Sequence, residues 1–396
     1  MRTFRYELLK IFRLRALRFA LLILLGLNFY LLHTEYRNQY FFSPKNFSQA
    51  EQWQYFEWMQ EEFMGDLRAD KLREFMELYW RFELRDDSSL RDFLTAQNYP
   101  STGDIGYDRR ILVQRVYKPL LYAVEYEEYA NLLVARAEAS ILRAHYGSSD
   151  LARDQNIVDS FSGRQLSSVY PNDRYLFEFS HEISAGILLL FLLLLTLTLL
   201  YEEKRTHMHC LLLSTPNYIS VMRSKFILLL LLCFFVNALF YMQVHFTCRV
   251  LYQTASHATL PLYSLKPYLN TPLTMSISSY QYLYFLTRSF ASIALVTLSA
   301  VLTMTSKSQI IAAARVSVLL LVLAALDYLG HFKRNILLIY LNPLTALRTE
   351  SLYAQPDQVA IFNRSIWAYQ LTWIWLLALI GIGSLASYLV LRKEIR

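Results

Sequence analysis

The strongest constraint on this chain is the recurrence of apolar runs about as long as a bilayer is thick. About twenty apolar helical residues cross the hydrocarbon core. Such runs stand at 183–200, 226–246, 283–304, 310–329 and 367–391. Another, 16–33, lies near the N-terminus; its length is marginal, and Arg18 must extend back to the headgroups. The chain has 396 residues, 55% of them hydrophobic and only 10 of them Gly. The expectation is an all-α polytopic membrane protein with six transmembrane helices. No small-residue cleavage site follows Leu32, so the first apolar run reads as a retained span rather than a signal peptide.

Charge sets the expected orientation. Arg2, Arg5, Lys10, Arg13, Arg15 and Arg18 precede the first span, Lys204, Arg205, Arg223 and Lys225 lie between the second and third, and Arg392, Lys393 and Arg396 follow the sixth. Basic residues stay on the cytoplasmic side, which puts both termini inside a multi-pass protein of the cell membrane. The net charge of +7 is then explained by topology, and no nucleic-acid partner is needed. Residues 1–15 read as a cytoplasmic, interfacial amphipathic helix resting on anionic membrane lipid, with Glu7, Lys10 and Phe12 along it. A basic flank that only enforces orientation is the plainer alternative. Cys210, Cys233 and Cys248 fall on the inner side, in a span and on the outer side, so they form no disulfide framework.

Between spans 1 and 2 lies a polar insertion, 34–180, expected to be a helical extracytoplasmic domain. Phe47–Phe63 and Leu67–Leu84 carry apolar and aromatic residues three and four apart. Asn98–Gly103 reads as a break, Arg109–Tyr146 as one long helix, bent at Pro119, and a last helix starts near Tyr175. Tyr122, Tyr126 and Tyr129 fit an aromatic ligand groove, but packing between helices requires less. Residues 247–279 and 330–365 read as outer loops. Pro261, Pro267 and Pro272 exclude a long helix from the first, and Ile336–Leu341 in the second is long enough only to re-enter a leaflet.

The segment 201–225 is a charged wedge between two spans. Met208–Leu213 reads as a short amphipathic helix, broken at Thr215-Pro216. His207-Met208-His209-Cys210 carries metal-binding residue types, but a spacing of two points the histidines to different helical faces, so no metal is expected. Asp327, Arg315 and Arg288 are ionisable residues inside spans, where charge marks function by default. Each lies near a span end, so snorkelling to the headgroups is the expected account. His181 and Glu182 read as an ordinary interfacial pair. The chain contains no G-x-x-x-x-G-K-[ST], no G-x-S-x-G and no H-E-x-x-H, so neither an ATPase nor a hydrolase site is expected.

The wedge, with its Glu203, Leu212, Leu213, Ser214, Thr215 and Pro216 and with Lys225 nine residues on, resembles the span 2–span 3 segment of ABC-2 type transporter permeases. The N-terminal Glu7–Arg13 also looks like that family's opening. His207-Met208 stands where the family has a Gly-Thr pair. Six spans with a large outer insertion match the subgroup common in Gram-positive bacteria. The resemblance implies the membrane subunit of an ATP-binding-cassette exporter, itself not an enzyme and holding no cofactor. ATP and Mg would be bound by a separate ATPase subunit docked on Glu203, Met208, Leu212, Leu213, Ser214, Thr215, Pro216 and Lys225. A second copy or a sister permease would complete the substrate path, and the cargo would be an amphipathic peptide, lipid or drug. The alternatives are a non-transporting receptor whose outer domain senses a ligand, and an ATP-independent channel or carrier.

Overall fold

The computed structural model describes residues 2–38, 77, 80, 87–96, 104–112, 118–143, 149–166, 182–205, 218–252, 258–361 and 364–395. Among them are helices α1 (Arg2–Arg13), α2 (Arg15–Asn38), α3 (Asp87–Ala96), α4 (Ile105–Leu112), α5 (Lys118–Arg143), α6 (Ser149–Phe161), α7 (Glu182–Arg205), α8 (Tyr218–Tyr252), α9 (Ile277–Met304) and α10 (Gln309–Lys333). Three short helices, α11 (Ile336–Tyr340), α12 (Pro343–Arg348) and α13 (Glu350–Tyr353), lead to a hairpin of β1 (Gln358–Ile361) and β2 (Arg364–Trp367), then to α14 (Ala368–Ile395). Six of these, α2, α7, α8, α9, α10 and α14, are long and apolar enough to cross a membrane.

The centre of the bundle is α9. It packs against α7, α8, α10, α12 and α14, most extensively against α14. Its sequence explains this position. Ala291, Ser292, Ala294, Thr297, Ser299, Ala300 and Thr303 are small and buried, and small residues let helix backbones approach closely where lipid supplies no hydrophobic drive. Ser299 and Thr303 return their hydroxyls to Leu295 O and Ser299 O at 2.8 Å each, so they carry no unmet polarity into the interior. Gly383 of α14 meets α9 at Thr297, where a Cβ would come within 2.9 Å of Oγ1. By contrast α10 is peripheral and leaves Val318, Leu321 and Val322 exposed, as an outer span does. One polar bridge joins α2 to α8: Asn28, fully buried, donates to Gln243 Oε1 at 2.9 Å, and Gln243 donates to Leu25 O at 2.7 Å.

The helices overrun the runs that hydropathy marks. The wedge read as 201–225 is helical at both ends, because α7 continues to Arg205 and α8 begins at Tyr218. Tyr218 and Met222 are four apart and buried in one apolar cluster with Leu199 and Leu200, so packing extends the helix beneath its apolar run. Likewise α8 continues to Tyr252 and α9 starts at Ile277, capped by Ser276. Between them, Pro261 caps the 3-10 turn Leu262–Ser264 and Pro267 lies in a second one, Lys266–Tyr268. Ile336–Leu341 forms α11, packed on α10 and α14. The hairpin is a departure from all-α: Gln358 pairs with Trp367 and Ile361 with Arg364, in strands too short to show alternation in sequence.

Of the insertion, α5 and α6 pack on each other and dock on the end of the bundle that carries residues 258–276 and the hairpin. Where one helix was expected over Arg109–Tyr146, two are described, α4 and α5, on either side of 113–117. The expected helix from Tyr175, the break at 98–103 and nearly all of 47–84 lie outside the described residues.

Candidate functional site

Two of the residues singled out by sequence meet at the end of the bundle that carries both termini. On α1, Glu7 is 5% exposed and Leu8 packs on the apolar cluster, while Tyr6 and Leu9 point outward. The docked face of α1 is therefore not purely apolar. Glu7 Oε2 lies 3.7 Å from Lys225 Nζ, and Lys225, 1% exposed, donates to Leu199 O at 3.3 Å. That carbonyl lies near the C-terminal, negative end of the α7 dipole, which favours a cation. Lys225 thus joins α1, the end of α7 and the start of α8. These two helix ends flank 206–217. Tyr201 adds a tie from α7, donating to Lys307 O at 2.9 Å in the α9–α10 turn.

Glu203 lies in the last turn of α7, and Lys10 of α1 is half-buried. Phe12 lies on α1, with its side chain outside the described residues. Met208, Leu212, Leu213, Ser214, Thr215 and Pro216 also lie outside them, as does the His207–Cys210 run. Cys233 and Cys248 are buried, and neither is in a disulfide among the described residues. Among the described residues no group of three His, Cys, Asp or Glu side chains could hold a metal.

The intramembrane charges correct the snorkelling expectation at two of three positions. Arg315 is exposed and donates to Thr305 O at 3.3 Å, as a residue at a span end would. Asp327 is only 6% exposed. It accepts from Thr345 Oγ1 at 2.5 Å and from Arg348 Nη1 at 3.3 Å, and its Oδ1 stands 3.5 Å from His331 Nδ1. His331 Nδ1 is also 2.9 Å from Asp327 O, which can only accept, so Nδ1 carries the proton. The turn that brings α12 to Asp327 is tight. Asn335 N donates back to Gly330 O at 2.9 Å, and a Cβ on Gly330 would meet Ile339 N at 3.2 Å. Beside this cluster a cleft of about 780 Å³ opens between α7 and α10, walled by Ala185, Gly186 and Leu189 with Asp327, His331 and Arg348 at one side.

Arg288 is 2% exposed in the middle of the bundle. Its Nη1 donates to Tyr284 OH at 2.9 Å and its Nη2 to Ser184 Oγ at 3.2 Å, while Nε is buried with no hydrogen-bond partner. Among the described residues no carboxylate pairs with it. Position near a span end is no guide here, because α9 starts at Ile277 rather than Leu283, and this places Arg288 three turns inside the helix.

At the opposite end from the termini, Arg164 clamps the insertion to the bundle. It is 4% exposed, donates from Nε to Ser160 O at 2.6 Å and from Nη1 to Thr271 O at 2.8 Å, and reaches Tyr126 OH at 3.3 Å. Its guanidinium lies 4.1 Å from the Phe161 ring centroid and 4.9 Å from that of Tyr263. Burial pushes the Tyr126 and Tyr263 phenols above their ordinary value, against the opposing pull of Arg164. Sequence offers no signal for Arg164, one arginine among many. Sequence did not single out Asn28 either, since Asn237 and Gln243 are further amides inside an apolar run. Tyr126 and Tyr129 serve packing and docking, Tyr129 donating to Asn270 Oδ1 at 3.0 Å. Set against known proteins, this multi-pass membrane chain matches no family model, no curated protein and no solved structure.

Proposed function

We propose that the chain is the permease subunit of an ABC-2 type exporter, coupling ATP hydrolysis on a separate ATPase subunit to export of an amphipathic substrate. The observation that carries this reading is the Lys225 junction. An exporter driven from outside the membrane needs a connector whose displacement reaches the spans. Here the two helix ends that flank 206–217 are fixed to each other and to α1 by a buried cation, its carbonyl acceptor and its carboxylate counter-ion. A push on the connector therefore moves α7 and α8 together. The sequence resemblance at Glu203, Leu212–Pro216 and Lys225 supports the same assignment. In this reading the terminal-bearing end is cytoplasmic and 34–180 is outside. ATP and Mg sit on the partner, and a second copy or a sister permease completes the path. The nucleotide drives transport only through its different affinity for the two states.

The test is Leu212→Ala/Leu213→Ala, assayed by co-purification of an ATPase from the native host and by transport or resistance. Truncation of two buried interface leucines removes roughly 1.5–3 kcal/mol each, enough to release or uncouple the ATPase while the six spans still insert. Wild-type co-purification and transport in the double variant would remove the connector from the coupling role. An ATPase activity intrinsic to the purified chain would overturn the assignment outright.

A further inference from the structure

We propose that Arg288 is the receptor for an anionic group, a phosphate or carboxylate, carried into the bundle on an amphipathic molecule. A guanidinium holds five N–H donors and stays charged at any physiological pH. Burying it without a counter-ion is costly, and intramembrane cations ordinarily pair or line a path. Arg288 has a tyrosine hydroxyl and a serine hydroxyl as acceptors, both neutral, and an unpartnered Nε. One turn further along α9, on the same face, Ser292 Oγ is also buried without a partner. Arg288 Nε and Ser292 Oγ, buried on adjacent turns of one helix face, are two donors that an oxygen-rich anion would satisfy together.

Access and carrier follow from the neighbours. Ser184, which accepts from Nη2, lies in the same turn of α7 as Ala185 and Gly186, which wall the 780 Å³ cleft toward α10. Gly186 has open space where a Cβ would stand, so this stretch of α7 leaves the cleft unobstructed. Ile183, Ala185, Leu189, Leu344 and Leu347 give the cleft an apolar wall that suits an alkyl chain, beside the polar side formed by Asp327, His331, Arg348 and Glu350. An amphipath therefore lays its chain along α7 and delivers its charged head to Arg288.

The purified full-length chain in a neutral maltoside detergent is titrated with dodecyl phosphate, with inorganic phosphate and with dodecyltrimethylammonium, and thermal unfolding is followed. Dodecyl phosphate raises the Tm saturably, and in Arg288→Gln its apparent affinity falls by about tenfold or more, since a charge-assisted hydrogen bond is lost. Arg288→Lys keeps the charge without the fork and falls between. Without ligand, Arg288→Gln is no less stable than wild type, because a buried unpaired charge has been removed. Should that variant not fold, a photoactivatable dodecyl phosphate on the wild-type chain must crosslink to α7 or α9 near Ser184 and Arg288. An Arg288-dependent response to inorganic phosphate alone overturns the amphipathic carrier. Equal responses in wild type and Arg288→Gln, or crosslinks elsewhere, overturn the site. Binding is read without an ATPase, so a negative result leaves the exporter reading standing.

Discussion

Two buried carboxylates illustrate how side-chain exposure decides the cost of losing a partner. At the Glu7–Lys225 pair the side chains are 6% and 1% exposed, so neither recovers water when the other is removed. Glu7→Ala takes the carboxylate away from a buried ammonium, and removing one member of such a pair costs about 3–5 kcal/mol. Replacing both by apolar residues of similar size, Glu7→Leu with Lys225→Met, restores most of the loss. Thermal unfolding of the two single variants and the double variant measures this, and additive losses in the double would show that the two residues are not coupled. At Asp327 the geometry is better but the partners are wetter. Its side chain is 9% exposed, while those of Arg348 and His331 are 48% and 45% exposed. After Asp327→Asn both exposed partners hydrate, so the expected loss is smaller, about 1–3 kcal/mol. An unfolding midpoint for Asp327→Asn below that of Glu7→Ala would reverse this ranking. Sequence identified Glu7, Lys225 and Asp327 as residues of interest. It did not reveal burial, because burial depends on which neighbour covers the residue.

Helix identity was legible from the apolar runs, and helix ends were not. Tyr218 begins α8 well before Phe226, because its aromatic ring and Met222 find a core made by α7, and hydropathy along one segment carries no sign of that partner. The same holds for docking of the insertion. Arg164 joins α6 to the 258–276 segment through Thr271 O, a contact between residues more than a hundred positions apart. Arg164→Met keeps the bulk between Phe161 and Tyr263 and deletes the hydrogen bonds. Hydrogen exchange should then rise in 118–166 and 258–276 and stay unchanged in the buried part of α9. Uniform protection across the insertion would mean that Asn156, which donates to Ser365 O at 3.0 Å, suffices as the clamp. Alkaline pH should act on the same elements. Burial raises the phenol pKa values of Tyr126, Tyr263, Tyr268 and Tyr340, and that of Tyr353 to about 12. An unfolded phenol titrates near about 10. Above that pH the native state holds protons that the unfolded state has released, so stability falls with rising pH; below it these groups contribute no slope. Melting measured from pH 7 to 11 should decline only above about pH 10, and the decline should be shallower in Tyr126→Phe.

At the scale of the whole molecule, two features bear on the same question: which way the bundle faces. The number of candidate crossings follows from the six apolar helices. Which helix is central follows from the small residues of α9, a pattern that a search for hydrophobicity alone passes over. The ends differ in charge. One gathers α1, Lys204, Arg205, Arg223, Lys225, Lys307 and Arg392, and the other carries the insertion and the hairpin. The positive-inside rule predicts a cytoplasmic position for the first of these, and the length of α8 makes that prediction testable. Its 35 residues extend for about 52 Å, against a hydrocarbon core of about 30 Å, so its first turns stand clear of the lipid interior. Ser220, exposed in those turns, is a reporter for that face. Ser162, exposed just after α6, reports the other. In a chain with Cys210, Cys233 and Cys248 replaced, Ser162→Cys should react with a membrane-impermeant maleimide on intact cells. Ser220→Cys should react only after permeabilisation. The inverse pattern would turn the bundle over, put the Lys225 junction outside and leave 206–217 out of reach of any ATP-driven partner. An inverted pattern of labels would therefore overturn the exporter reading together with the orientation.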